Sequence, residues 1–135
     1  MNAAGITIGI TTRDRPEALQ RCLGSLAVVT HLSPEVLVFD DASATPATDR
    51  LRGCSLPTEV RVLRDDRGSG YITGRNRLVR EAAAPIVLLL DDDAALLGGE
   101  AIERAVRLLE ADPRLAAVAF AQCDRAGTRW DEGMQ

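Results

Sequence analysis

The 135-residue chain contains no lysine: all 16 of its basic residues are arginine, against 20 acidic residues and a net charge of −4 at pH 7. This absence argues against a Walker-type phosphate loop, a Schiff-base enzyme and a response-regulator receiver domain, because each of these depends on a lysine. The acidic balance, together with only four aromatic residues, also argues against a nucleic-acid partner, since such proteins have basic surfaces and stacking aromatics.

Cysteine, histidine and long apolar runs are scarce as well. The three cysteines are widely spaced and form no C-x-x-C pair, which argues against a disulfide scaffold or zinc site and favours a reducing compartment. A single histidine, His31, gives no support for a Ser-His-Asp relay. The longest apolar run, at 82–90, is far shorter than the ~20 residues that span a bilayer. Residues 1–11 do not resemble a signal peptide, so we expect a cytoplasmic protein without a transmembrane segment.

The composition that remains is typical of one soluble globular domain, with 46% hydrophobic and 27% charged residues. Apolar spacing alternates along the chain between two kinds of segment. Strands are predicted at 6–11, 35–39, 59–64, 86–90 and 115–121. Helices are predicted at 16–29, 71–84 and 100–112, with a loop or short helix running through residue 52 and a flexible loop at 67–70.

Strands separated by helices predict a doubly wound, mostly parallel α/β sheet with helices on both faces. The continuous apolar runs at 86–90 and 115–121 are typical of strands that are covered on both sides. Right-handed crossovers give the strand order 3-2-1-4, with the reversal between the first and fourth strands. Ligands of such sheets bind beyond the carboxyl ends of the strands, at that reversal.

The fourth predicted strand ends in three consecutive aspartates, residues 91–93. In an extended segment Asp91 and Asp93 point one way and Asp92 the other. Adjacent carboxylates repel one another unless a positive group lies between them, and a hard divalent ion such as Mg²⁺ or Mn²⁺ takes oxygen ligands of this kind. The alternative is an acidic, solvated turn after a buried strand.

The second predicted strand ends in Asp40 and Asp41, followed by Ser43. Asp40 and Ser43 also suit a helix N-cap or an Asx-turn. Asp41 is placed to hydrogen-bond a base or ribose, as acidic residues do at the second strand of nucleotide-binding sheets.

Arginines lie near the same strand ends. Arg13 and Arg15 follow the first strand, and their planar guanidinium groups suit a diphosphate, although both are also compatible with ordinary surface positions. Arg75 and Asn76 lie near the start of the helix at 71–84, where they can face the same edge of the sheet. Carboxylates, guanidiniums and hydroxyls in one place suit a ligand with phosphates, hydroxyls and a divalent cation.

These residues resemble family 2 glycosyltransferases of the GT-A fold over about residues 5–121. The resemblance lies in four segments that occur in the same order: ITIGITTRDRP at 6–16, VFDDAS at 38–43, GRN at 74–76 and LDDD at 90–93. It implies a nucleotide-diphosphate sugar donor, a divalent metal (Mn²⁺ or Mg²⁺) and transfer with inversion to an acceptor of unspecified class. By position it implies a donor site formed by Thr11, Arg13, Arg15, Asp41, Arg75 and Asp91, and metal ligation by Asp91 and Asp93.

Three positions depart from the family pattern. The family often has an aromatic residue followed by asparagine where Arg13 and Asp14 stand, and glycine where Ala42 stands. The general base and the acceptor site of the family lie in a C-terminal half, so we expect the base beyond Gln135. Residues 122–135 are interpreted as the start of the connection to that half, in a chain expected to be truncated.

Three alternatives stay open at this point. A non-catalytic nucleotide-sugar-binding domain, or an inactive fragment, would bind donor in a metal-dependent way without transfer. A phosphohydrolase of the haloacid dehalogenase type would have an Asp-x-Asp-x-Thr pattern at the first strand, where this chain has one aspartate. GT-A-type nucleotidyltransferases have a glycine-rich first loop and a lysine, and neither is present.

Overall fold

The computed structural model describes residues 5–129 and contains a four-stranded parallel sheet in the order β3-β2-β1-β4. The strands are β1 (Ile6–Thr12), β2 (Glu35–Asp41), β3 (Arg61–Asp65) and β4 (Ile86–Asp91). The helices are α1 (Pro16–Ser25), α2 (Ala47–Leu51), α3 (Tyr71–Glu81) and α4 (Glu100–Ala111), with a 3₁₀ helix at Leu26–Leu32. The predicted doubly wound sheet and its 3-2-1-4 order are confirmed.

The two central strands, β1 and β2, form the core of the sheet. Gly9 of β1 lies under Leu78 of α3, where an added Cβ would come within 3.2 Å of the leucine. Ile8 and Ile10 alternate with Gly9 along the strand and so point to the opposite face, where both are fully buried. Both faces of the central strands are therefore covered, as continuous apolar strands of parallel sheets require.

The chain divides into two compact units, and the first, which extends to Gly99, contains the whole sheet. The second unit includes α4, in which Ile102 and Ala105 are buried. Among residues 5–129, none of the helices combines the length and the apolarity needed to cross a bilayer.

The predicted strand at 115–121 is wrong. Residues 115–121 have no regular secondary structure, and Leu115 and Phe120 are 38% and 39% exposed. An apolar run indicates a strand only if another strand offers it hydrogen bonds, and sequence spacing contains no information about that partner. The apolar run at 86–90 does form β4, but Leu89 in it is exposed, so the cover predicted for both sides of this strand is incomplete.

Smaller differences concern the ends of elements. The helix predicted at 16–29 is α-helical only to Ser25 and then tightens into the 3₁₀ helix. The helix predicted at 71–84 ends at Glu81, because Pro85 lacks an amide hydrogen and disfavours helix in the residues before it.

Candidate functional site

A cleft of about 280 Å³ lies at the carboxyl ends of β1, β2 and β4, at the reversal of strand order. Its volume is close to the lower end of the range for small-molecule sites. The cleft is lined by Thr11, Thr12, Arg13, Arg15, Asp41, Tyr71, Asp91, Asp92 and Asp93. The topology therefore brings together six of the seven predicted donor-site and metal-site residues, from three strand ends.

The three aspartates after β4 have different environments. Asp92 is buried and accepts hydrogen bonds from the Thr12 hydroxyl at 2.8 Å and from Arg15 Nη1 at 2.9 Å. The side chains of Asp91 and Asp93 are 57% and 61% exposed. The predicted alternation is confirmed: the Asp92 side chain is hydrogen-bonded to Thr12 of β1, and its two neighbours have exposed carboxylates.

Each exposed aspartate is paired with an arginine. Arg75 Nη2 lies 2.6 Å from Asp91 Oδ1, and Arg15 Nη1 lies 3.3 Å from Asp93 Oδ2. The hydrogen bond from Arg15 to Asp92, followed by the charges of Asp92 and Asp93, raises the pKa of Arg15 above its ordinary value. The seventh predicted residue, Arg75, thus reaches the cleft through Asp91.

Arg75 has two further features. Its Nε is buried and has no hydrogen-bond acceptor among residues 5–129. Its guanidinium carbon lies 5.1 Å from the centre of the Tyr71 ring, in cation–π geometry. A buried donor without an acceptor is uncommon in native structures, and a ligand oxygen would satisfy it. Asn76, which was also expected at this edge, is exposed and is not among the residues that line the cleft.

Asp40 has a structural role. It is fully buried, and its carboxylate accepts hydrogen bonds from the backbone amides of Ala47 and Ser43 and from Arg64 Nη1 at 2.6 Å. Burial by itself would raise the pKa of Asp40, but these hydrogen bonds outweigh burial and lower it. The turn interpretation of Asp40 is therefore the correct one.

Asp41 connects the end of β2 to the loop before α3. Its carboxylate accepts hydrogen bonds from the backbone amides of Ser69 at 2.7 Å and Gly70 at 3.1 Å, and Gly70 is the residue that precedes α3. Arg13 Nη1 lies 3.9 Å from the same carboxylate. Asp41 is mostly buried yet borders the cleft, so it orders the cleft wall and keeps carboxylate surface available to a ligand.

The loops after β1 and β2 are fastened to one another. The amide of Asp14 donates to the Ser43 hydroxyl at 2.9 Å, and the amide of Ala44 donates to Asp14 Oδ1 at 2.7 Å. Asp14 and Ala42 adopt positive φ values of 52° and 60°, which non-glycine residues rarely do. Ala42 thus adopts the backbone conformation that the glycine often found at this position of the family would adopt most easily.

Sequence reasoning assigned no role to Tyr71, the first residue of α3. Tyr71 is 60% exposed, and among residues 5–129 it is the only aromatic residue that lines the cleft. An aromatic residue directly after a flexible glycine-containing loop is the signal that was available in the sequence. Cys22 is fully buried, and burial, followed by the charges of nearby aspartates, raises the pKa of its thiol to about 12.

Two of the carboxylates at the cleft could hold a divalent metal. Among residues 5–129, no group of three or more histidine, cysteine, aspartate or glutamate side chains is arranged to hold a metal ion. Asp91 and Asp93 nevertheless expose oxygen atoms to one cleft. A hard cation of the Mg²⁺ type commonly takes one or two carboxylates and completes its shell with phosphate oxygens and water.

A parallel sheet of this order, with carboxylates and arginines at its reversal, is a Rossmann-like arrangement of the GT-A type. Residues 7–135 match the family described as Glycosyl transferase family 2, and the chain belongs to that family. It is 31% identical over 121 residues to validoxylamine A glucosyltransferase of Streptomyces hygroscopicus subsp. limoneus, covering 87% of this chain and 26% of that protein. It is 30% identical over 105 residues to the uncharacterized glycosyltransferase YwdF of Bacillus subtilis (strain 168), covering 78% of this chain and 38% of that protein.

Solved structures confirm the GT-A fold. The mannosyltransferase PcManGT from Pyrobaculum calidifontis, in complex with GDP-Man and Mn²⁺, superposes with a TM-score of 0.73 at 21% identity, covering 89% of this chain and 36% of that chain. TarS 1–349 of S. aureus, in complex with UDP-GlcNAc, superposes with a TM-score of 0.62 at 21% identity, covering 79% of this chain and 31% of that chain. The chain therefore spans less than two-fifths of the length of each of these four proteins.

Proposed function

We propose that the cleft binds a nucleotide-diphosphate sugar together with Mn²⁺ or Mg²⁺, as the donor site of an inverting glycosyltransferase. The observation that supports this most directly is the convergence of three arginines and two exposed aspartates on one cleft. Guanidinium groups suit phosphate oxygens, and exposed carboxylates suit a hard cation. The complexes of the structural relatives with GDP-Man and Mn²⁺, and with UDP-GlcNAc, support the same ligand class.

The nucleoside end of the donor would lie against Thr11, Asp41 and Tyr71. Thr11 and Asp41 offer a hydroxyl and a carboxylate that hydrogen-bond a base or ribose. Tyr71 offers an exposed ring in the same cleft. In this role Tyr71 would take the place of the aromatic residue that the family often has where Arg13 stands. Stacking on an aromatic ring tolerates any base, because every base has a π face.

The diphosphate would lie against Arg13, Arg15 and Arg75, and Asp91 and Asp93 would hold the metal. A bound divalent cation would neutralise negative charge on the two phosphates. The guanidinium groups do the same from the protein side, which stabilises the nucleoside diphosphate as it leaves the sugar. The Nε of Arg75, which has no acceptor among residues 5–129, would be a further donor if the side chain turns toward such an oxygen. Asp92 keeps Arg15 in place through a hydrogen bond of 2.9 Å.

Calorimetric titration tests the proposal. We expect the 135-residue chain to bind UDP or GDP in the presence of Mn²⁺ or Mg²⁺, and Asp93→Ala to abolish that binding. The matched control is Asp49→Ala, because Asp49 is an exposed aspartate on α2 that forms an ion pair with Arg52 at 3.0 Å and, among residues 5–129, is not one of those that line the cleft. Equal nucleotide binding by the wild type and Asp93→Ala would refute the metal assignment, and failure to bind either nucleotide would refute the donor site.

The alternative function, metal-dependent donor binding without transfer, is distinguished from a transferase by an assay of sugar transfer. The general base predicted beyond Gln135 stays a prediction, and we expect the 135-residue chain to bind donor and to transfer sugar poorly. Robust transfer to a simple acceptor would contradict this. The cytoplasm is the proposed compartment, because all three cysteines are free thiols.

A further inference from the structure

We propose that Arg15 and Arg75 compete with the divalent metal for its carboxylates and thereby couple the binding of metal and nucleoside diphosphate. The inference rests on the proposed function, since it concerns the same cleft. Each ligand binds weakly alone in this scheme, and both bind tightly together. Arg15 and Arg75 are positioning residues here, because they act through the carboxylates that they release.

Both exposed carboxylates, those of Asp91 and Asp93, already have an arginine partner. Arg75 pairs with Asp91 at 2.6 Å, and Arg15 pairs with Asp93 at 3.3 Å. A cation that binds these oxygens in the absence of nucleotide must displace guanidinium groups that are already hydrogen-bonded to them. Displacement leaves two positive groups close to a positive ion, and like charges at short range oppose binding.

Each arginine also has a second partner, which would hold it at the cleft after a metal ion has displaced it from its exposed carboxylate. Arg15 keeps its 2.9 Å hydrogen bond to the buried carboxylate of Asp92, which Thr12 also fixes. Arg75 keeps its cation–π contact with Tyr71, and its buried Nε still has no acceptor among the described residues. The released guanidinium groups therefore stay beside the cleft, where phosphate oxygens can accept their hydrogen bonds.

The charge of these aspartates and arginines favours the binding of both ligands together over the binding of either one alone. Three aspartates and two arginines, Arg15 and Arg75, have a net charge of −1. A diphosphate alone adds negative charge beside three carboxylates, whereas a metal ion alone displaces the guanidinium groups without giving them a new partner. When both bind, the metal takes the carboxylates and the guanidiniums take the phosphates, so each charged group has a partner of opposite sign.

Coupling of this kind is reciprocal: the factor by which the nucleotide tightens metal binding equals the factor by which the metal tightens nucleotide binding. The test measures both, using the Mn²⁺ electron paramagnetic resonance signal for metal binding and calorimetry for the nucleotide. Mn²⁺ is titrated alone and with saturating UDP or GDP, whichever binds. We expect at least about a tenfold coupling factor in the wild type, within the usual range for coupled sites.

Arg15→Gln and Arg75→Gln remove one competing charge each and keep a side-chain amide. We expect each variant to bind Mn²⁺ alone several-fold more tightly than the wild type, and the coupling factor to fall. Arg13→Gln is the matched control, because Arg13 lines the same cleft but approaches Asp41, at 3.9 Å, and is not paired with Asp91 or Asp93. It is expected to weaken nucleotide binding and to leave the affinity for Mn²⁺ alone within about twofold of the wild type.

The outcomes separate this inference from the proposed function. Absence of Mn²⁺ binding even with nucleotide would overturn the proposed function itself. Tight Mn²⁺ binding that is independent of nucleotide in the wild type would overturn the coupling and leave the donor site standing. Coupling is also overturned if Arg15→Gln and Arg75→Gln, each shown to be folded by its thermal transition, bind Mn²⁺ alone no better than the wild type. If Arg13→Gln tightens the binding of Mn²⁺ alone as much as Arg15→Gln and Arg75→Gln do, the effect comes from the loss of any nearby positive charge. That result would also overturn the proposed competition.

Discussion

Gly74 of α3 lies directly on the ring of Phe39 in β2. A Cβ at position 74 would overlap this ring, with Cε1 at 2.8 Å and Cδ1 closer still. Phe39 is fully buried and cannot move aside without disturbing the core formed with Leu37, Leu63 and Leu78. The contact sets the height of α3 above the sheet and so the position of Arg75, the next residue, at the cleft.

Gly74→Ala is therefore expected to destabilise the protein. The substitution gains about 1 kcal/mol in helix propensity, but overpacking of a buried site costs about 1–3 kcal/mol or more. We expect a net loss of up to about 2 kcal/mol in the free energy of unfolding, measured by urea denaturation. Gly24→Ala, in exposed α1 sequence with nothing within 4 Å of the added Cβ, is the control and should stabilise the protein. A stabilising Gly74→Ala would contradict the contact.

Tyr71→Ala is expected to weaken UDP or GDP binding about tenfold, because stacking on an aromatic residue contributes about 1–3 kcal/mol per base. Tyr71→Phe retains the ring and should bind like the wild type. Calorimetry with inorganic pyrophosphate and Mn²⁺ provides the control, since that ligand has no base. An equal loss of affinity for pyrophosphate would show that Tyr71 acts through Arg75 rather than through the base.

Asp40→Asn is expected to lower the free energy of unfolding by about 3 kcal/mol at pH 7, as the loss of one partner of a buried ion pair does. The pKa of Asp40 is lowered in the folded protein, so its stabilisation is complete above its unfolded pKa of about 3.9. It is lost as the pH falls through the lower folded value. Urea denaturation at pH 7 and between pH 4 and 3 measures this. The difference in the free energy of unfolding between the wild type and the variant should decrease as the pH falls. Asp49→Asn should change stability by no more than about 1 kcal/mol, and a pH-independent gap for Asp40→Asn would be inconsistent with this explanation.

Ala42→Gly is expected to stabilise the protein by about 0.5–1 kcal/mol, since the left-handed conformation at φ 60° costs an alanine about 1–2 kcal/mol. Ala44→Gly, two residues further along and without a positive φ, should instead destabilise the protein through backbone entropy. Thermal unfolding of the two variants side by side measures the difference. Equal destabilisation by both would show that residue 42 is not strained.

The strands and the strand order follow from local patterns, which is why most of the fold could be predicted. Parallel crossovers leave few topologies, and the isoleucines of β1, which alternate with Thr7 and Gly9, are the residues that sequence predicts to be buried. The failure at 115–121 has the opposite cause, because a strand there depends on a pairing partner rather than on its own residues. Leu115 and Phe120 are as apolar as Ile8, yet of these three residues only Ile8 is buried.

The convergence of these side chains on one cleft could be predicted from the sequence, but the pairing of arginines with aspartates could not. Asp91 and Arg75 are 16 residues apart, and Arg15 and Asp92 are 77 apart. Which arginine contacts which aspartate depends on side-chain directions at the edge of the sheet. The same limit explains why Asp41, expected at a base, proved also to accept the amides that precede α3.

The crossed hydrogen bonds between Asp14 and the loop at Ser43 and Ala44 have a consequence for the thermodynamics of binding. Two loops that are tied to one another cannot open independently, so this wall of the cleft is already ordered before a ligand arrives. Less conformational entropy is then lost on association, and more of the contact energy appears as affinity. Amide hydrogen exchange at Asp14 and Ala44 should accordingly be slow in the free protein and change little when nucleotide binds.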